Sequence, residues 1–529
     1  MAQDSGQWER GVLPEAMTEG TPREGGTLRV SIDTEPPSLL TIRHSDLMAT
    51  RITKHRVYEM LLSVDPYDHP NYSMRPELAS GMPEVSEDGL VHTLRLRRGV
   101  RFHDGQPFTA RDVIASFDVI RNPDTLTDHM TSYLVDLERY EQVDDFTVRF
   151  YWSHPYFLAF DVYELVPILP AHVISQLTPE EFNGPENPLG RQPVGTGPWR
   201  FEAWEPGQAI VLQRNNDYWG RRPHLRRVVM MIMEEADAPL SAALRGEIDI
   251  ATRIPPRRWH TMGAHLASRF VRSRFVENNY AWIGWNQTRP QLSDRRVRQA
   301  LTMLVDREFI RDEVLQGLPE LTECHFYRGR QECDTGVEPW PFDPERAKAL
   351  LRGAGWEDRN GDGVRENAEG IPLRLELMLP SASREAGSWV SVIQEAFADA
   401  GVEMSVAHAD WPEFVRRLRE HEFDACTLLW GDTSSRTDPT QIWHSSSVDG
   451  GSNYVSFRHE RADQLMEQAR RTVDDAERTR LYQEFGRILH EEQPYTWLYS
   501  RPRLTVYRNH VRGVRESLGW LVFRDIWLE

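Results

Sequence analysis

Residues 83–113 read PEVSEDGLVHTLRLRRGVRFHDGQPFTARDV and contain the clearest run of structural signals in the chain. Apolar and polar residues alternate through 92–102, which predicts a half-buried strand. The alternation ends at Asp104, which with the following glycine forms a dipeptide typical of tight turns. Thr109 and Asp112 then have the spacing of a capping box, and apolar residues recur after them at helical spacing. This stretch therefore predicts a strand, a turn and an amphipathic helix.

Strands and helices also alternate on both sides of this stretch. Residues 27–32 predict a strand after a glycine pair, and residues 344–429 predict helices and strands in turn. Such alternation favours an α/β fold with mixed sheets. Because 529 residues are too many for one hydrophobic core, we expect two or three domains.

The charge balance argues against nucleic acid as a partner, and the hydropathy argues against a membrane-spanning segment. The chain has 62 Lys and Arg against 81 Asp and Glu, a formal charge of -19, which repels nucleic acid. It contains no apolar run of about 20 residues, so we expect no membrane span. Residues 1–25 are polar, without the basic start and apolar run of a signal peptide, and predict a flexible extension.

The sequence offers no recognisable catalytic motif. The Gly195-Thr196-Gly197-Pro198 segment lacks the third glycine of a dinucleotide-binding loop and has proline where a helix would offer an N–H group, so it predicts a turn. No Gly-x-Ser-x-Gly elbow, Walker loop or His-Glu-x-x-His zinc motif is present. We therefore expect a protein that is not an enzyme and that requires no cofactor.

The three cysteines divide into a close pair and a single residue. Cys324 and Cys333 have a spacing that a disulfide can close, which predicts a bridge worth about 2–3 kcal/mol and an oxidising compartment. The alternative is two unpaired surface thiols. Cys426 lies in an apolar run and predicts a small core residue.

One segment has the spacing of a calcium-binding loop. Asp358, Asn360, Asp362, Gly363 and Glu369 match the D-x-N-x-D-G-x5-E pattern, in which oxygen ligands surround the ion. A predicted strand rather than a helix follows the loop, so it is not a helix-loop-helix hand. The loop predicts structural Ca²⁺, and the alternative is a pair of tight turns without an ion.

Several of these segments together resemble the family 5 extracellular solute-binding proteins. The resemblance rests on residues 83–113 and extends from about Gly25 to the C-terminus. Its further segments are 193–199 (PVGTGPW), 218–220 (YWG), 244–249 (LRGEID), 294–300 (DRRVRQA) and 343–347 (DPERA).

This resemblance implies a two-lobed periplasmic-binding-protein-like clamp of three domains, of the cluster C type, with a hinge between the lobes. The implied main domain of lobe 1 comprises residues 26–55, 194–275 and 488–529. Residues 56–193 form its additional domain, and residues 276–487 form lobe 2. Ligand is expected to bind in the cleft between the lobes, and closure around it signals the importer.

The resemblance also implies ligand contacts. Trp430 and Asp432 precede an Asp-Pro pair as in peptide-binding members, which makes Asp432 the expected acceptor for a peptide's α-ammonium group. The segment from Asp432 to Asp438 is longer than the family pattern, so the acceptor could be displaced; an Asx turn is the alternative. Arg384 is a candidate for a ligand carboxylate, or else a solvated arginine. The other residues at positions that line the family's cleft are Trp430, which could instead fill the core, and Glu35, Trp282, Trp285 and Asn286.

The implied function is capture of di- or oligopeptides for an ABC importer. The expected partners are a peptide or another small solute and the permease subunits, and the expected state is a periplasmic or otherwise extracytoplasmic monomer. The rival ligands within the family are a nickel chelate, haem or a sugar. A ligand-sensing clamp without transport is the alternative role.

Overall fold

The computed structural model of the chain describes residues 13, 17, 20–44, 46–69, 71–333, 336–381, 383–432, 434, 436–518 and 520–529. The chain forms two compact units. The first unit ends at Phe275 and is completed by Arg503–Glu529, whereas the second unit is Val276–Pro502. The chain therefore passes from one unit to the other twice.

The elements of the described residues are numbered in chain order. The strands are β1 Thr27–Ile32, β2 Leu62–Val64, β3 Met74–Pro76, β4 Glu84–Val85, β5 Val91–Arg95, β6 Leu137–Asp144, β7 Thr147–Trp152, β8 Trp199–Glu205, β9 Ala209–Arg214, β10 Arg227–Ile232, β11 Ile250–Ala251, β12 Phe270–Val276, β13 Asn278–Trp285, β14 Glu320–Leu321, β15 Arg374–Pro380, β16 Glu403–Ala409, β17 Ala425–Asp432, β18 Tyr495–Ser500, β19 Pro502–Arg508, β20 Val511–Arg512, β21 Glu516–Ser517, β22 Trp520–Leu521 and β23 Trp527–Leu528. The α-helices are α1 Leu47–Thr53, α2 Ala110–Arg121, α3 Asp128–Thr131, α4 Ala159–Leu165, α5 Ala171–Ile174, α6 Pro179–Asn183, α7 Pro188–Arg191, α8 Ala238–Arg245, α9 Pro256–Thr261, α10 Arg295–Met303, α11 Arg307–Phe309, α12 Pro344–Gly353, α13 Arg384–Asp399, α14 Trp411–Arg419, α15 Thr440–Trp443, α16 Glu460–Arg471 and α17 Asp475–Glu492.

The first unit is built on a seven-stranded mixed sheet with the order β12-β19-β11-β1-β10-β9-β8. The predicted strand at 27–32 is confirmed as β1, which runs parallel to β10 and β11. Its alternate residues Leu28, Val30 and Ile32 are fully buried, as the period of two along a strand requires. The α/β fold class predicted from the alternation is confirmed.

The stretch 83–113 contributes to a separate antiparallel sheet of the first unit, with the order β4-β5-β7-β6. β5 pairs with β7, and α2 follows where the apolar period predicted a helix. The backbone N–H of Thr109 donates to the Asp112 carboxylate at 2.8 Å, so the predicted capping box is present. The three-domain division stays a prediction, since both sheets belong to one compact unit.

The end of the second unit and the N-terminal extension both differ from the expectation. Strand β18 lies within the second unit, because it pairs with β13, so that unit extends to Pro502 rather than to 487. Most of the predicted flexible extension, residues 1–25, lies outside the described residues. Of those that are described, Met17 is buried in the core of the first unit and its carbonyl accepts a hydrogen bond from Val514.

The second unit has a six-stranded mixed sheet with the order β14-β18-β13-β17-β15-β16. β15 runs parallel to both β16 and β17, whereas β13 is antiparallel to its two neighbours. One face packs on α10, α12 and α13 around a hydrophobic core that includes Leu301, Leu377 and Ile393. The helices α13 and α14 begin shortly after β15 and β16 end, so their N-termini follow the carboxyl ends of parallel strands.

Two of the motifs meet inside the first unit. His103, from the stretch 83–113, donates through Nε2 to the carbonyl of Gly197 at 3.0 Å and accepts through Nδ1 from the N–H of Gly195 at 3.3 Å. Burial lowers the pKa of His103 to about 4, so the ring is neutral and can accept as well as donate. The predicted turn at 195–198 is therefore a connection that His103 fixes in place.

The buried carboxyl group of Glu59 joins two further motifs. Glu59 is 0% exposed and accepts hydrogen bonds from Thr196 Oγ1 at 2.8 Å, Tyr218 Oη at 2.6 Å and Trp219 Nε1 at 2.8 Å. Burial, with a smaller contribution from the charge of Glu77, raises the pKa of Glu59 to about 8 from its ordinary 4.5. These residues serve the architecture of the first unit.

The raised pKa of Glu59 predicts that stability depends on pH. A carboxyl with a folded-state pKa of about 8 and an unfolded value of 4.5 takes up a proton on folding. Its contribution to stability is therefore complete below pH 4.5 and is lost as pH rises through about 8. Glu59→Gln is neutral at every pH. We therefore expect the melting temperature of this variant, minus that of the wild type, to be higher at pH 8.5 than at pH 5. A difference in melting temperature that is the same at both pH values would contradict the assignment.

Candidate functional site

The candidate site lies on the second unit, at the edge where β15, β16 and β17 end. These three strands are parallel, so their carboxyl ends, Pro380, Ala409 and Asp432, lie at the same edge of the sheet. Ligands of open α/β sheets bind outside the carboxyl ends of strands. The N-termini of α13 and α14 at this edge favour negative charge. The fold thus provides a polar edge in the part of the second unit that holds the predicted contacts.

The two aspartates of the predicted ligand segment have different surroundings. Asp438 lies 3.4 Å from the guanidinium of Arg470 and accepts from the backbone N–H of Thr440 at 3.0 Å. Its charge is therefore matched by a cation of the protein itself. Asp432 ends β17 with its backbone opposite Asn278, and its side chain lies outside the described part of the structure. Its role as ammonium acceptor stays a prediction.

Trp430 is half-buried and belongs to a row of stacked rings. Its ring centroid lies 5.9 Å from that of Trp282 at an interplanar angle of 20°, and 6.2 Å from that of Tyr454 at 16°. Trp282 in turn stacks on Tyr495 at 3.9 Å. Gly284 makes this possible, since a Cβ there would lie 2.5 Å from the Trp282 ring. The row holds the indole of Trp430 rigidly while part of it remains accessible.

A further aromatic residue at this edge was missed by the sequence analysis. Trp411 is the first residue of α14, and its ring stacks on buried Phe414 at 5.9 Å and 15°. The indole is 58% exposed, which is unusual for so large an apolar side chain. Asp410 before it caps the helix by accepting from Glu413, so the pair looked like an ordinary helix start.

The remaining predicted contacts differ in position. Arg384 begins α13 at the same edge, but its side chain lies outside the described part of the structure. Trp285 is 1% exposed in the hydrophobic core of the second unit and donates to Thr496. Asn286 is 0% exposed and donates to the carbonyls of His421 and Phe423, while its oxygen accepts from Thr288. Packing and hydrogen bonding account for the positions of both buried residues, and a ligand role for them stays a prediction.

Glu35, in the first unit, also has partners within the protein. Its two oxygens accept from Trp204 Nε1 at 2.6 Å and from the backbone N–H of Gly207 at 3.0 Å. These contacts hold the loop after β1 against the turn between β8 and β9. The structure therefore gives Glu35 a structural role, and a ligand role for it stays a prediction.

Comparison with known proteins identifies the family of the chain. The model of the bacterial extracellular solute-binding proteins, family 5 Middle, matches residues 73–452. The chain belongs to this family.

The relatives of this solute-binding protein include peptide-binding proteins. It is 29% identical over 519 residues to the oligopeptide-binding protein AppA of Bacillus subtilis, covering 94% of this chain and 89% of that protein. The structure of that AppA in complex with a nonapeptide matches with a TM-score of 0.80 and 26% identity, over 96% of this chain and 100% of the other. NikA of Brucella suis in complex with Fe(III)-EDTA matches with a TM-score of 0.81 and 22% identity, over 95% and 100%. That last likeness shows the fold alone.

These comparisons confirm the predicted family and the binding-protein-like fold. Members of the family are extracellular solute-binding proteins. Among the described residues, every helix is too short or too polar to cross a lipid bilayer.

The predicted calcium loop brings three carboxylates of this solute-binding protein together. Asp358, Asp362 and Glu366 each offer an oxygen within 4.8 Å of the others. Glu366, which the sequence analysis did not single out, is 6% exposed and occupies the position expected for Glu369, whereas Glu369 is exposed and lies outside the group. The side-chain oxygen of Asn360 accepts from the N–H of Asp362 at 2.7 Å. Bound Ca²⁺ stays a prediction.

If the loop holds calcium, the ion stabilises the folded state by mass action. At 100 times the dissociation constant we expect about 2.7 kcal/mol, seen as a rise of several degrees in melting temperature on adding CaCl₂. Glu366→Gln should abolish the rise and Glu369→Gln, the matched control, should retain it. An unchanged melting temperature in the wild type would rule out the ion.

The predicted disulfide is not formed in the structure, which has Cys324 and Cys333 as thiols. The two side chains are hydrogen-bonded. Burial, followed by this hydrogen bond, raises the pKa of the Cys324 thiol. Cys426 is fully buried in β17, as predicted. The bridge itself stays a prediction.

Counting thiols tests the bridge. In protein treated with oxidised glutathione and then denatured, we expect maleimide to label one cysteine, Cys426, and all three after reduction. The oxidised form should melt a few degrees higher, in line with about 2–3 kcal/mol for a loop of this length. Three labelled cysteines before reduction would contradict the pairing.

Proposed function

We propose that this chain is the extracytoplasmic peptide-binding component of an ABC importer, which binds di- or oligopeptides and delivers them to the permease without chemical change. The observation that carries the proposal is the polar edge of the second unit, where Asp432 ends the parallel strand β17, Trp430 is half-buried near its end, and the exposed Trp411 follows β16. The family match and the peptide-binding relatives support it. A periplasmic or cell-surface location follows from the same role.

The edge offers complementary contacts for a zwitterionic peptide. We expect Asp432 to accept an α-ammonium group, because the other aspartate of the ligand segment, Asp438, faces Arg470. An ammonium group has three donors, which suits a carboxylate acceptor. Arg384 and the N-terminus of α13 provide positive potential for a carboxylate. Trp411 offers an exposed indole, and the accessible part of the half-buried Trp430 adds apolar surface, for peptide backbone or side chains.

Broad sequence tolerance is expected from this arrangement. Contacts to the termini and the main chain give affinity whatever the side chains are, whereas side chains need only fit wet or apolar surfaces. The protein should therefore bind many peptides of similar length.

A peptide library with free or acetylated N-termini tests the proposal. Random peptides of two to nine residues with free termini should raise the melting temperature, and the same library after N-acetylation should raise it much less. Equal shifts with the two libraries would overturn the role of the ammonium group. A shift with neither library, but with a nickel chelate, haem or a sugar, would replace the peptide by that ligand.

A further inference from the structure

A loop of the second unit carries a buried histidine between its two cysteines. The loop, residues 322–333, follows β14, and His325 comes directly after Cys324. His325 is 4% exposed, and burial lowers its pKa to about 3, so the ring is neutral. Its Nδ1 accepts hydrogen bonds from Trp443 Nε1 at 3.1 Å and from Tyr280 Oη at 2.8 Å. Because an indole nitrogen can only donate, the proton of the imidazole is on Nε2.

Trp443 begins a continuous series of ring contacts that reaches the candidate site. It is fully buried, and its ring centroid lies 4.5 Å from that of Tyr495. Tyr495 stacks on Trp282, and Trp282 stacks on the half-buried Trp430. Close-packed rings cannot move independently of one another. The hydrogen bond from Trp443 to His325 therefore helps to fix the row of rings behind Trp430.

The loop is held at both of its ends. Phe326 packs on Tyr482 of α17 with ring centroids 4.8 Å apart, and Gln483 of the same helix donates to the carbonyl of Gln331 at 2.7 Å. The thiols of Cys324 and Cys333 are hydrogen-bonded to each other, so little movement is needed to join them. A disulfide there would close the segment 324–333, which contains His325, into a ring.

We propose that Cys324 and Cys333 form a redox-sensitive latch on His325, which positions the row of rings behind Trp430. The effect of the latch on peptide binding rests on the proposed function. In the dithiol form the loop can open locally, which removes the acceptor from the buried N–H of Trp443. In the disulfide form the ends of the segment are joined, so His325 stays against Trp443. His325 is a positioning residue, since it acts through Trp443 and not through contact with the ligand.

Thiol–disulfide exchange with a disulfide oxidant, such as oxidised glutathione, closes the latch. The thiolate of Cys333 attacks one sulfur of the oxidant and expels one thiolate. Cys324 then loses its proton and attacks the sulfur of Cys333 in the mixed disulfide, which expels the second thiolate. The two protein thiols lose two electrons and two protons, and the oxidant becomes two thiols. The raised pKa of Cys324 favours this order, because it disfavours the Cys324 thiolate as the first nucleophile.

Peptide release from the oxidised and the reduced protein tests the latch. Protein treated with oxidised glutathione should release peptides of the free-termini library at least fivefold more slowly than protein treated with dithiothreitol. Amide exchange in residues 440–444, measured without peptide, should also be at least fivefold slower in the oxidised protein. Cys333→Ser cannot close the latch and should show neither difference. Cys426→Ser, the matched control, should show both.

Substitutions of His325 separate positioning from stability. His325→Leu has no acceptor for Trp443, so it should release peptides rapidly in both redox states. Thiol counting should still show the bridge in this variant, and oxidation should still raise its melting temperature. His325→Asn, whose Oδ1 can accept from Trp443, should keep part of the redox difference in release, and it also serves if the leucine variant does not fold.

Equal release and exchange rates in the oxidised and reduced wild type, with the bridge formed, would overturn the latch. Three labelled cysteines after treatment with the oxidant would overturn it as well. If the library bound to neither redox form, the proposed function would fail, and the exchange of residues 440–444 would still decide whether the latch exists.

Discussion

Replacing Asp432 with alanine is expected to weaken the binding of free peptides by about 100-fold or more. Truncating one partner of a desolvated charge pair costs about 2–5 kcal/mol, and each 1.4 kcal/mol is a factor of ten in affinity. The loss should be specific to the ammonium group. The variant should therefore bind free and N-acetylated forms of one peptide with similar, weak affinities, whereas the wild type separates them strongly.

Isothermal titration of both peptide forms against the wild type and the variant measures this effect. Asp438→Asn is the informative comparison, because Asp438 faces Arg470 and should affect the ratio of the two affinities little. If the Asp438 variant removed the discrimination and the Asp432 variant kept it, the acceptor would be the second aspartate of the segment.

Replacing Gly195 with alanine is expected to prevent stable folding of the first unit. A Cβ at Gly195 would lie 1.9 Å from the carbonyl oxygen of Val57, far inside van der Waals contact. The obstructing atom belongs to the backbone, and the N–H of Gly197 also donates to it at 3.1 Å. Relief therefore requires the two segments to separate, which also disturbs the bonds to His103.

A substitution that creates a backbone clash of this kind lowers the free energy of unfolding by more than about 4 kcal/mol. We expect insoluble protein, or a melting temperature lowered by about 8 °C or more. Gly486→Ala is the matched control, because it lies inside α17 with open space around the added methyl group, and it should stabilise slightly. A soluble Gly195→Ala protein that melts like the wild type would contradict the packing described for this connection.

Local patterns in the sequence predicted local structure well. The Thr109–Asp112 capping box was predictable because its hydrogen bonds are close in sequence. The strand at 27–32 was predictable from the period of two in its side chains, although it pairs with the distant β10 and β11. The motifs at 103, 195–197 and 218–219 were recognised as a family pattern, but their purpose was not visible. In the structure, His103 bonds to the 195–197 turn, and Glu59 bonds to both Thr196 and Tyr218. These partners are far apart in sequence.

Contacts that depend on long-range packing could not be predicted. Trp285 lies in a central strand covered on both faces, so its aromatic character alone did not distinguish a ligand surface from the core. Glu366 replaced Glu369 because the chain turns back after the calcium-like loop and pairs Glu366 with Glu357 and Pro372. His325 and Trp443 are 118 residues apart, and no local pattern relates them.

Native mass spectrometry of the purified protein, followed by release of its ligand under denaturing conditions, tests the central claim most directly. The account predicts a family of short peptides with free N-termini and varied sequences, in a narrow range of lengths. A single nonpeptide mass bound at one equivalent would contradict it, while leaving the fold and the family of the chain unchanged.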